Sequence, residues 1–306
     1  MTGIVIPSLG SRHLVHCLDA VADLDPGPTR TVVVLSGASS VAAHATGVEL
    51  IRADRRLGFA AAVNLGIAAL GPDVRRVALL NDDAVPAPAW LGRLDAALDA
   101  EPGCAAVQGT VTDAVGVVTD GRGVALDELG LPVQVDRGSS PAPEPGSARP
   151  IVAVSGTAAV YRARALRAAQ LRDGVVFDPR FGSYHEDLDL GLRLRRIGWS
   201  ATWIPGAWAS HAGSATGRRL GWRHPWWVLG NRWRALAGNL TGRALVAASP
   251  RLLRGELRAV RTLTRDNPRA VLTAIAVLAA VPWLVAGGLR RVSPGPRLNA
   301  LEELSV

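Results

Sequence analysis

The amino-acid sequence predicts an α/β fold: a parallel sheet flanked by helices, with a C-terminal helical extension. Short apolar segments alternate with helix-like segments over the first half of the chain, which is the pattern of βαβ units. One of these apolar segments, TRTVVVLSG, is continuous in β-branched residues, as strands buried on both faces are. From residue 222 the pattern becomes helical and rich in tryptophan and arginine.

The chain has 306 residues, enough for one large domain or two smaller ones. We predict a first domain over 1–221, composed of halves over 1–109 and 110–221, and a helical region over 222–306. Hydrophobic residues make up 48% of the chain and charged residues 20%, which indicates a globular protein rather than a disordered one.

The strands and helices of the first half are predicted in regular order. Strands are expected at GIVIPS, TRTVVVLSG, GVELIRA and VRRVALLN. Helices are expected at SRHLVHCLDAVAD, GFAAAVNLGIAAL and AWLGRLDAALDA. In the first of these helices, Leu14, Leu18 and Val21 share one face.

The second half is less regular. Residues 110–150 contain many glycines and prolines, and GSSPAPEPGSARP predicts a mobile surface loop. The segment IVAVSGTAAVYRARAL predicts a strand, a turn at Gly156 and a helix. Another helix is expected from about His185 to Arg196, where Gly198 stops it, and SATWIP predicts a further strand.

The C-terminal region combines an amphipathic segment with an apolar one. At 100° per residue, five arginines from Arg251 to Arg265 fall within an arc of about 80°, and Glu256 lies in the apolar arc roughly opposite. Residues 270–289 carry no charge and are about long enough to span a bilayer, although Pro282 interrupts them. Spanning the membrane, lying in its interface and packing on protein remain open. Four tryptophans fit either an interfacial belt or a core: Trp222, Trp226, Trp227 and Trp233.

The net charge of +8 calls for an anionic partner or location: a phosphorylated substrate, an anionic lipid or a nucleic acid. Arginines concentrate in the tail beside apolar residues, without a nucleic-acid-binding motif, so we expect no nucleic acid partner. The two cysteines, Cys17 and Cys104, form neither a disulfide framework nor a metal-ligand spacing, which fits a reducing cytoplasm. The N-terminus lacks the pattern of a signal peptide.

Two adjacent carboxylates, Asp82 and Asp83, follow the fourth predicted strand in LLNDDAVPAPAW. Ligands of open α/β sheets bind beyond the carboxyl ends of the strands, so the pair is well placed to hold Mg²⁺ or Mn²⁺. The same carboxylates could instead cap the next helix and complement its dipole.

A second acidic cluster, Glu186, Asp187 and Asp189, begins the helix in HEDLDLGLR. These acids either complement the helix dipole or place one carboxylate in a cleft as a general base. Downstream, His211 in WASHAG is either structural or completes a metal site with Asp83.

The motifs LLNDD, GFAAAVN, SGTAAVYR, FDPRFGSYHEDLDLGLRLRRIGW and WASHAGSA occur in this order. Together they resemble the family 2 glycosyltransferases, which have the GT-A fold, a Rossmann-like fold of nucleotide-diphospho-sugar transferases. The resemblance implies a mixed, mostly parallel sheet flanked by helices. The resemblance covers about residues 1–235 and is greatest to bacterial rhamnosyltransferase-type enzymes of cell-wall or surface-polysaccharide assembly. It is specific for the family and not for the sugar.

The resemblance implies roles for the acidic residues and the histidine. Asp83 matches the metal ligand of the DxD-like motif, and Asp82 the position near the sugar or ribose. His211 matches a histidine that joins the metal or diphosphate in several relatives. Asp187 matches the catalytic base, and Glu186 its neighbour.

The resemblance also places residues around the donor and the acceptor. Arg52 and Asn64 match positions that line the nucleotide pocket. Gly156 and Thr157 match the turn beneath the acceptor, and Arg193 matches a structural arginine.

Two segments depart from the family pattern. Pro7 opens PSLGSR, where relatives usually continue with Tyr-Asn. Ser36 stands where relatives usually carry an Asp that helps to hold the base. These departures leave the donor base open, whereas the metal ligand and the catalytic base are retained.

The resemblance therefore implies an inverting, metal-dependent transfer of a sugar, with rhamnose as one candidate, from a nucleoside diphosphate to a lipid-linked or polysaccharide hydroxyl. Mg²⁺ or Mn²⁺ is the expected cofactor. The expected location is cytoplasmic, peripheral on the inner face of the membrane through the C-terminal helices, and an oligomer remains open. A nucleotidyltransferase and a non-catalytic carbohydrate-binding protein on the same fold are the alternatives.

Overall fold

The structure is a computed structural model that describes residues 1–37, 47–144, 146–213, 223–266 and 270–301. At its centre lies a mixed sheet, to which these residues contribute ten strands. Its first half is parallel and contains four strands: β1 (Thr2–Ser8), β2 (Arg30–Ser36), β3 (Val48–Ala53) and β4 (Arg76–Leu80). Their order is β3-β2-β1-β4. All four coincide with predicted strands, which confirms the parallel α/β prediction.

The second half of the sheet is mixed and consists of six strands: β5 (Ala84–Pro86), β6 (Cys104–Asp113), β7 (Thr119–Gly121), β10 (Arg149–Ile151), β11 (Ala158–Arg162) and β12 (Ser200–His211). Strand β11 lies antiparallel between β4 and β6, and β12 runs parallel to β6. A separate hairpin contains β8 (Val124–Leu126) and β9 (Pro132–Gln134).

Helices cover both faces of the sheet. One face is covered by α1 (Leu14–Ala22) and α3 (Trp90–Ala100), whose apolar residues pack with β1 and β6. The other face is covered by α2 (Phe59–Leu70), α4 (Ala163–Ala168) and α5 (Glu186–Arg196). The predicted face of α1 is the buried one. Each face therefore has its own apolar core.

The described residues of the glycine- and proline-rich segment GSSPAPEPGSARP lie mostly exposed at the surface, as its composition predicts, and several contacts anchor the segment. Arg122 is buried, donates to the hydroxyl of Thr110 and to the carbonyl of Pro141, and pairs with Asp136 at 3.0 Å. Glu144 accepts from the backbone N–H of Gly206 at 2.6 Å. Composition alone cannot reveal such anchors, because they depend on partners distant in sequence.

The segment around Gly156 differs in part from its prediction. A three-residue strand, β10, precedes the turn, the strand β11 follows it, and the predicted helix begins only at Ala163, in α4. The apolar run of β11 is buried between β4 and β6 and pairs with both, so sheet pairing overrides its helix-compatible alanines.

The C-terminal region contains three helices: α6 (Arg223–Asn239), α7 (Gly242–Asp266) and α8 (Ala270–Leu289). They share an apolar cluster with α5 and with Phe181. Helices α6 and α8 approach closely at Gly288, where a Cβ would lie 2.6 Å from the Cβ of Ala237. Trp222 lies outside the described residues; Trp226 packs against the cluster, Trp233 is buried in it, and Trp227 lies against Gly182.

Glu256, the acid that interrupts the apolar arc of α7, is buried beside two partners on α6. It accepts from Arg232 at 3.0 Å and from the indole N–H of Trp233 at 2.9 Å. The guanidinium of Arg232 also donates to the carbonyls of Leu129 and Gly130. The part of the arc that contains Leu252 and Glu256 is therefore a helix–helix contact with a buried ion pair, while Leu253, Leu257 and the arginine arc are exposed.

Arg290 and Arg291, which follow the apolar helix α8, have different environments. Arg290 is exposed, whereas Arg291 is buried and binds Asp189 of α5 at 2.6 Å and Asp178 at 3.4 Å. Arg193 and Asn239 also bind Asp189, at 3.0 and 2.9 Å. The end of α8 is thus tied to the helix that carries the second acidic motif.

Among the described residues, one helix segment, Val271–Leu289, is long and apolar enough to cross a membrane, with a mean hydropathy of 2.1. Only 22% of that segment is buried within the protein. The helix is therefore not an ordinary core helix, and length and composition alone do not decide whether it enters a membrane.

Candidate functional site

A single turn connects the two acidic motifs at the carboxyl end of β4. The backbone N–H of Asn81 donates to the carbonyl of Thr157 at 2.8 Å. The backbone N–H of Gly156 donates to Oδ2 of Asp187 at 3.2 Å. Because Gly156 and Thr157 are adjacent, the strand end with the first acidic motif and the first turn of α5 are two hydrogen bonds apart.

Asp82 lies beside the end of β1. Its Oδ2 accepts from the hydroxyl of Ser8 at 2.5 Å, and the same hydroxyl accepts from the backbone N–H of Gly10. Burial raises the pKa of Asp82 above its ordinary value, and the charge of Asp83 adds to this, although the hydrogen bond from Ser8 opposes it. Ser8 thus fixes one oxygen of the carboxylate at the sheet edge.

Asp83 forms a chain of contacts with His211 and Asp120. The pairing of β5 with β12 sets His211 opposite Ala84, next in sequence to Asp83. The imidazole Nε2 lies 3.1 Å from Oδ1 of Asp83, and Nδ1 lies 3.0 Å from Oδ2 of Asp120. Burial lowers the pKa of His211, but the two carboxylates outweigh burial and raise it to about 9.

The donor set formed by Asp83 and His211 fits a divalent cation with few protein ligands. Among the described residues, no group of three His, Cys, Asp or Glu side chains converges to hold a metal. Mg²⁺ usually takes only one or two carboxylates and completes its shell with phosphate oxygens and water. Ligands at right angles around an ion with bonds of about 2.1 Å are about 3 Å apart. The 3.1 Å between Asp83 and His211 agrees with that spacing.

Asp120 provides the outer contact that metal-binding histidines ordinarily have. With Nε2 on a metal, Nδ1–H would donate to Asp120, which fixes the tautomer and the ring orientation. The hydrogen bond from His211 lowers the pKa of Asp120, so this carboxylate is ionised at neutral pH.

Asp187 and Glu186 occupy different environments although they are adjacent. Asp187 accepts from two backbone N–H groups, those of Gly156 and Leu188, and is partly exposed. Glu186 is buried, and its Oε2 has no hydrogen-bond partner among the described residues. Burial raises the pKa of both carboxyl groups, and for Glu186 the charge of Asp187 raises it further. Burial without a partner for Oε2 favours the neutral form of Glu186, whereas the two backbone N–H donors favour the ionised form of Asp187.

The remaining predicted site residues are distributed between the strand ends and the core. Pro7, Ser36 and Arg52 lie at the carboxyl ends of β1, β2 and β3, where Pro7 is opposite Val34 and Ser36 is opposite Ala53. Asn64 is engaged elsewhere: its amide donates to the carbonyl of Phe177 at 2.7 Å and accepts from its N–H at 2.9 Å. This contact joins α2 to the segment that contains Phe177, and a role of Asn64 at the nucleotide stays a prediction.

Sequence reasoning missed Ser8 and Asp120. Ser8 ends β1 directly beside Pro7, so its place at the sheet edge was available from the strand prediction. Asp120 lies on β7, within the segment that the composition predicts as part of a loop region. Its TDG sequence carries no signal of a histidine 91 residues further on.

The family model for glycosyl transferase family 2 matches residues 4–168, more than half of the chain. A comparison with curated protein sequences gives no significant match.

Solved structures show the same fold at low sequence identity. GalNAc-T7 with UDP, GalNAc and Mn²⁺ has a TM-score of 0.52 and 15% identity over 69% of this chain, which spans only 43% of that protein. The mannosyltransferase PcManGT from Pyrobaculum calidifontis with GDP-Man and Mn²⁺ has a TM-score of 0.50 and 19% identity, over 94% of this chain and 79% of its own. Residues 1–349 of TarS from S. aureus have a TM-score of 0.52 and 12% identity, over 94% and 89%.

Proposed function

Because the chain belongs to glycosyl transferase family 2 and has its GT-A fold, we propose that it is an inverting, metal-dependent enzyme that transfers a sugar from a nucleoside diphosphate to an acceptor hydroxyl. The observation that carries this proposal is the turn at Gly156 and Thr157, which joins the strand end of Asp82 and Asp83 to Asp187. A lipid-linked or polysaccharide acceptor in cell-envelope glycan assembly, and rhamnose as one candidate sugar, belong to the proposal.

Asp187 acts as the general base. It accepts the proton of the acceptor hydroxyl while the oxygen forms its bond to the anomeric carbon. The bond between that carbon and the diphosphate oxygen breaks on the opposite face, and its electron pair leaves with the nucleoside diphosphate. The N–H groups of Gly156 and Leu188 hold the carboxylate in place for this step. A single displacement inverts the anomeric configuration.

Asp83 and His211 would hold the cation, and Asp82 with Ser8 would border the donor sugar. A bound Mg²⁺ or Mn²⁺ neutralises charge on the departing diphosphate. Mn²⁺ in the structures of GalNAc-T7 and the mannosyltransferase supports this choice of cofactor.

Two variants separate the two halves of the site. Asp187→Asn should leave donor binding intact and lower turnover by about 10²-fold or more, the scale of general base catalysis. Asp83→Ala should abolish the Mn²⁺-dependent binding of a nucleoside diphosphate, measured by titration calorimetry. Normal turnover in the first variant, or an unchanged titration in the second, would remove the respective residue from its role.

We further propose that α7 and α8 rest on the anionic inner face of the membrane, which gives the enzyme a peripheral cytoplasmic location. At 100° per residue from the buried Leu252, the exposed Leu253 and Leu257 lie at about 100° and 140° on α7. The exposed arginines follow at about 180–260°: Arg251, Arg254, Arg258, Arg261 and Arg265. An apolar flank beside a basic flank is the arrangement of helices that lie in the membrane interface.

Helix α8 supplies the larger apolar surface. Opposite its buried Val277 lie Leu272 (76% exposed), Ile275 (57%) and Trp283 (77%). Contiguous exposed apolar surface of this kind indicates a docking surface, and the neighbouring arginines favour an anionic lipid surface over a neutral protein.

Sedimentation with vesicles tests the membrane proposal with point variants. Deleting the tail is unsuitable, because Arg291 binds Asp189 inside the catalytic domain. Replacing Arg254, Arg261 and Arg265 by glutamine should weaken sedimentation with phosphatidylglycerol vesicles. The control has the same net charge and replaces three exposed arginines away from α7: Arg167, Arg172 and Arg195. Equal sedimentation of both triple variants would contradict the proposal, as would a stable dimer that covers α8 without vesicles.

A further inference from the structure

The turn that leads into α5 has an unusual backbone. Tyr184 and His185 are consecutive non-glycine residues with positive φ angles, 74° and 67°, and Gly182 has a φ of 65°. Residues with a Cβ rarely adopt this left-handed conformation, and it persists only where the surroundings enforce it. Asp187, the proposed base, lies two residues beyond His185.

One side chain of α6 holds this turn. Asn231 is 1% exposed, and its Nδ2 donates to three carbonyl oxygens, those of Phe181 at 2.7 Å, Ser183 at 3.0 Å and Tyr184 at 2.9 Å. Its Oδ1 accepts from Arg234 at 2.5 Å, so the orientation of the amide is fixed by its partners. A single buried amide therefore binds three carbonyl oxygens of the turn that contains the positive φ angles.

The turn is also packed between α2 and α6. The backbone N–H of Ala60 donates to the carbonyl of Gly182, and a Cβ on Gly58 would lie 2.5 Å from the same oxygen. On the other side, Trp227 lies against Gly182, and the Nε2 of His185 is 3.1 Å from the carbonyl of Val228. The turn has no room to relax without moving α6.

We propose that Asn231 is a positioning residue for Asp187. The inference rests on the proposed function, in which Asp187 is the base. The carboxylate of Asp187 takes its hydrogen bonds from Leu188 and from Gly156, and Gly156 belongs to a different element. The start of α5 must therefore be fixed relative to the turn at Gly156. The hydrogen bonds from Asn231 to Phe181, Ser183 and Tyr184 fix the start of α5. Helix α6 accordingly helps to position the proposed base, in addition to the membrane-binding role proposed for α7 and α8.

Two variants of Asn231 remove the contact in different ways. Asn231→Ala deletes the amide, whereas Asn231→Asp keeps its volume and the contact to Arg234 but turns an oxygen toward three carbonyl oxygens. Both should lower kcat by about 10–10²-fold, the effect of displacing a reacting group by about 1 Å. The affinity for the nucleoside diphosphate with Mn²⁺ should be unchanged, because that site lies on β4, β5 and β12. The aspartate variant keeps the test valid if the alanine variant does not fold.

Asn239→Ala is the matched control. Asn239 is also a fully buried amide on α6, but its side-chain partners among the described residues are Asp189, Arg196 and the carbonyl of Ala235, none of which belongs to the turn. We expect it to lose stability in urea unfolding while keeping most of its kcat. A loss of kcat in Asn239→Ala equal to that in Asn231→Ala would assign both effects to general loosening and overturn the proposal.

A double-mutant cycle gives the decisive readout. Turnover is measured as nucleoside diphosphate released from UDP-glucose, GDP-mannose and dTDP-rhamnose with Mn²⁺, with water as the acceptor where no other is supplied. If Asn231 acts through Asp187, adding Asn231→Ala to Asp187→Asn should lower kcat no further, because residues that act as a unit are not additive. Independent, multiplying losses would overturn the inference while leaving Asp187 as the base. Normal turnover in Asp187→Asn would instead refute the base assignment. If Asn231→Ala still lowered turnover in that case, Asn231 could not act through Asp187, and the inference would be contradicted as well.

Discussion

Replacing Arg291 by alanine should destabilise the fold, although this residue lies just beyond an apolar helix at the end of the chain. Arg291 is buried and is within 3.4 Å of Asp178 and 2.6 Å of Asp189. Removing one partner of a buried ion pair costs about 3–5 kcal/mol, because it leaves an uncompensated charge. Asp189 keeps Arg193 and Asn239, and Asp178 keeps Arg180, so we expect a loss near the lower limit, about 3 kcal/mol.

Urea unfolding followed by circular dichroism measures this loss, and Arg290→Ala is the control. Arg290 is the exposed neighbour of Arg291, and among the described residues its side chain donates to the carbonyl of Ala286 in the last turn of α8. Its removal should change the free energy of unfolding by no more than about 0.5 kcal/mol. Equal effects of the two substitutions, or a loss below about 1 kcal/mol for Arg291→Ala, would refute the reasoning.

The stability difference between wild type and Arg291→Ala should also depend on pH, in a direction that the carboxylate partners of Arg291 determine. Burial opposes the ionisation of Asp189, but Arg291 and Arg193 outweigh it and hold its pKa below the ordinary value; the pKa of Asp178 is also lowered. A carboxylate with a depressed folded-state pKa stabilises the fold above its unfolded-state pKa and loses that effect as the pH falls. The difference between wild type and Arg291→Ala should thus be largest near neutral pH and shrink below about pH 4.

Four further predictions concern the site and the tail. Asp120→Ala should weaken the affinity for Mn²⁺, measured by calorimetry, by about 10–100-fold, and Asp120→Asn less, since its amide oxygen still accepts from Nδ1–H of His211; equal affinities would exclude the orienting role of Asp120. Glu256→Leu should cost about 3–5 kcal/mol in urea unfolding by leaving Arg232 as an uncompensated charge, and adding Arg232→Met should recover part of it, since the carbonyls of Leu129 and Gly130 then lose a donor; no recovery would contradict the ion-pair account. The acid limb of the kcat–pH profile should have an apparent pKa above the ordinary aspartate value of 3.8, because burial raises the pKa of Asp187 and the base must be ionised; a limb below that value would contradict it. Glu186→Gln should retain far more turnover than Asp187→Asn, because an amide resembles a neutral carboxyl group; equal losses would show that Glu186 must ionise.

The sequence was sufficient to predict elements whose signal is local. The continuous apolar segments of β1, β2 and β4 are buried strands, and the apolar face of α1 is the one that packs. The helix that begins at Glu186 was also predicted within one residue of its observed start. In each case, hydrophobic periodicity and a nearby glycine or acidic turn determine the element without help from distant parts of the chain.

Contacts between distant residues were beyond this kind of prediction. Glu256 disturbs the apolar arc of α7 when the helix is considered alone, whereas Arg232 and Trp233 on α6 satisfy it in the fold. Likewise, Arg291 follows an apolar segment as a membrane-flanking arginine would, yet it binds Asp189 of α5. A buried charge is favourable only with its partner, and a helical period says nothing about a partner on another helix.

The predicted site residues show the same division. The positions of Asp82 and Asp83 at a strand end followed from the strand prediction, and the family resemblance supplied the link to Asp187 and His211. Three contacts of the site depend on elements that are distant in sequence. The hydrogen bond from Gly156 to Asp187 depends on the antiparallel placement of β11, and the contact of Asp120 with His211 depends on β7. The hydrogen bonds of Asn231 to the turn before α5 depend on α6. These depend on tertiary structure, which no local pattern encodes.

Release of nucleoside diphosphate from a panel of UDP-, GDP- and dTDP-sugars tests the central claim most directly. We predict that wild-type protein releases it from at least one donor with Mn²⁺, and that EDTA, Asp83→Ala and Asp187→Asn each suppress the release. If wild-type protein released nucleoside diphosphate from none of these donors, or if wild type and Asp187→Asn released it equally, the account would be contradicted.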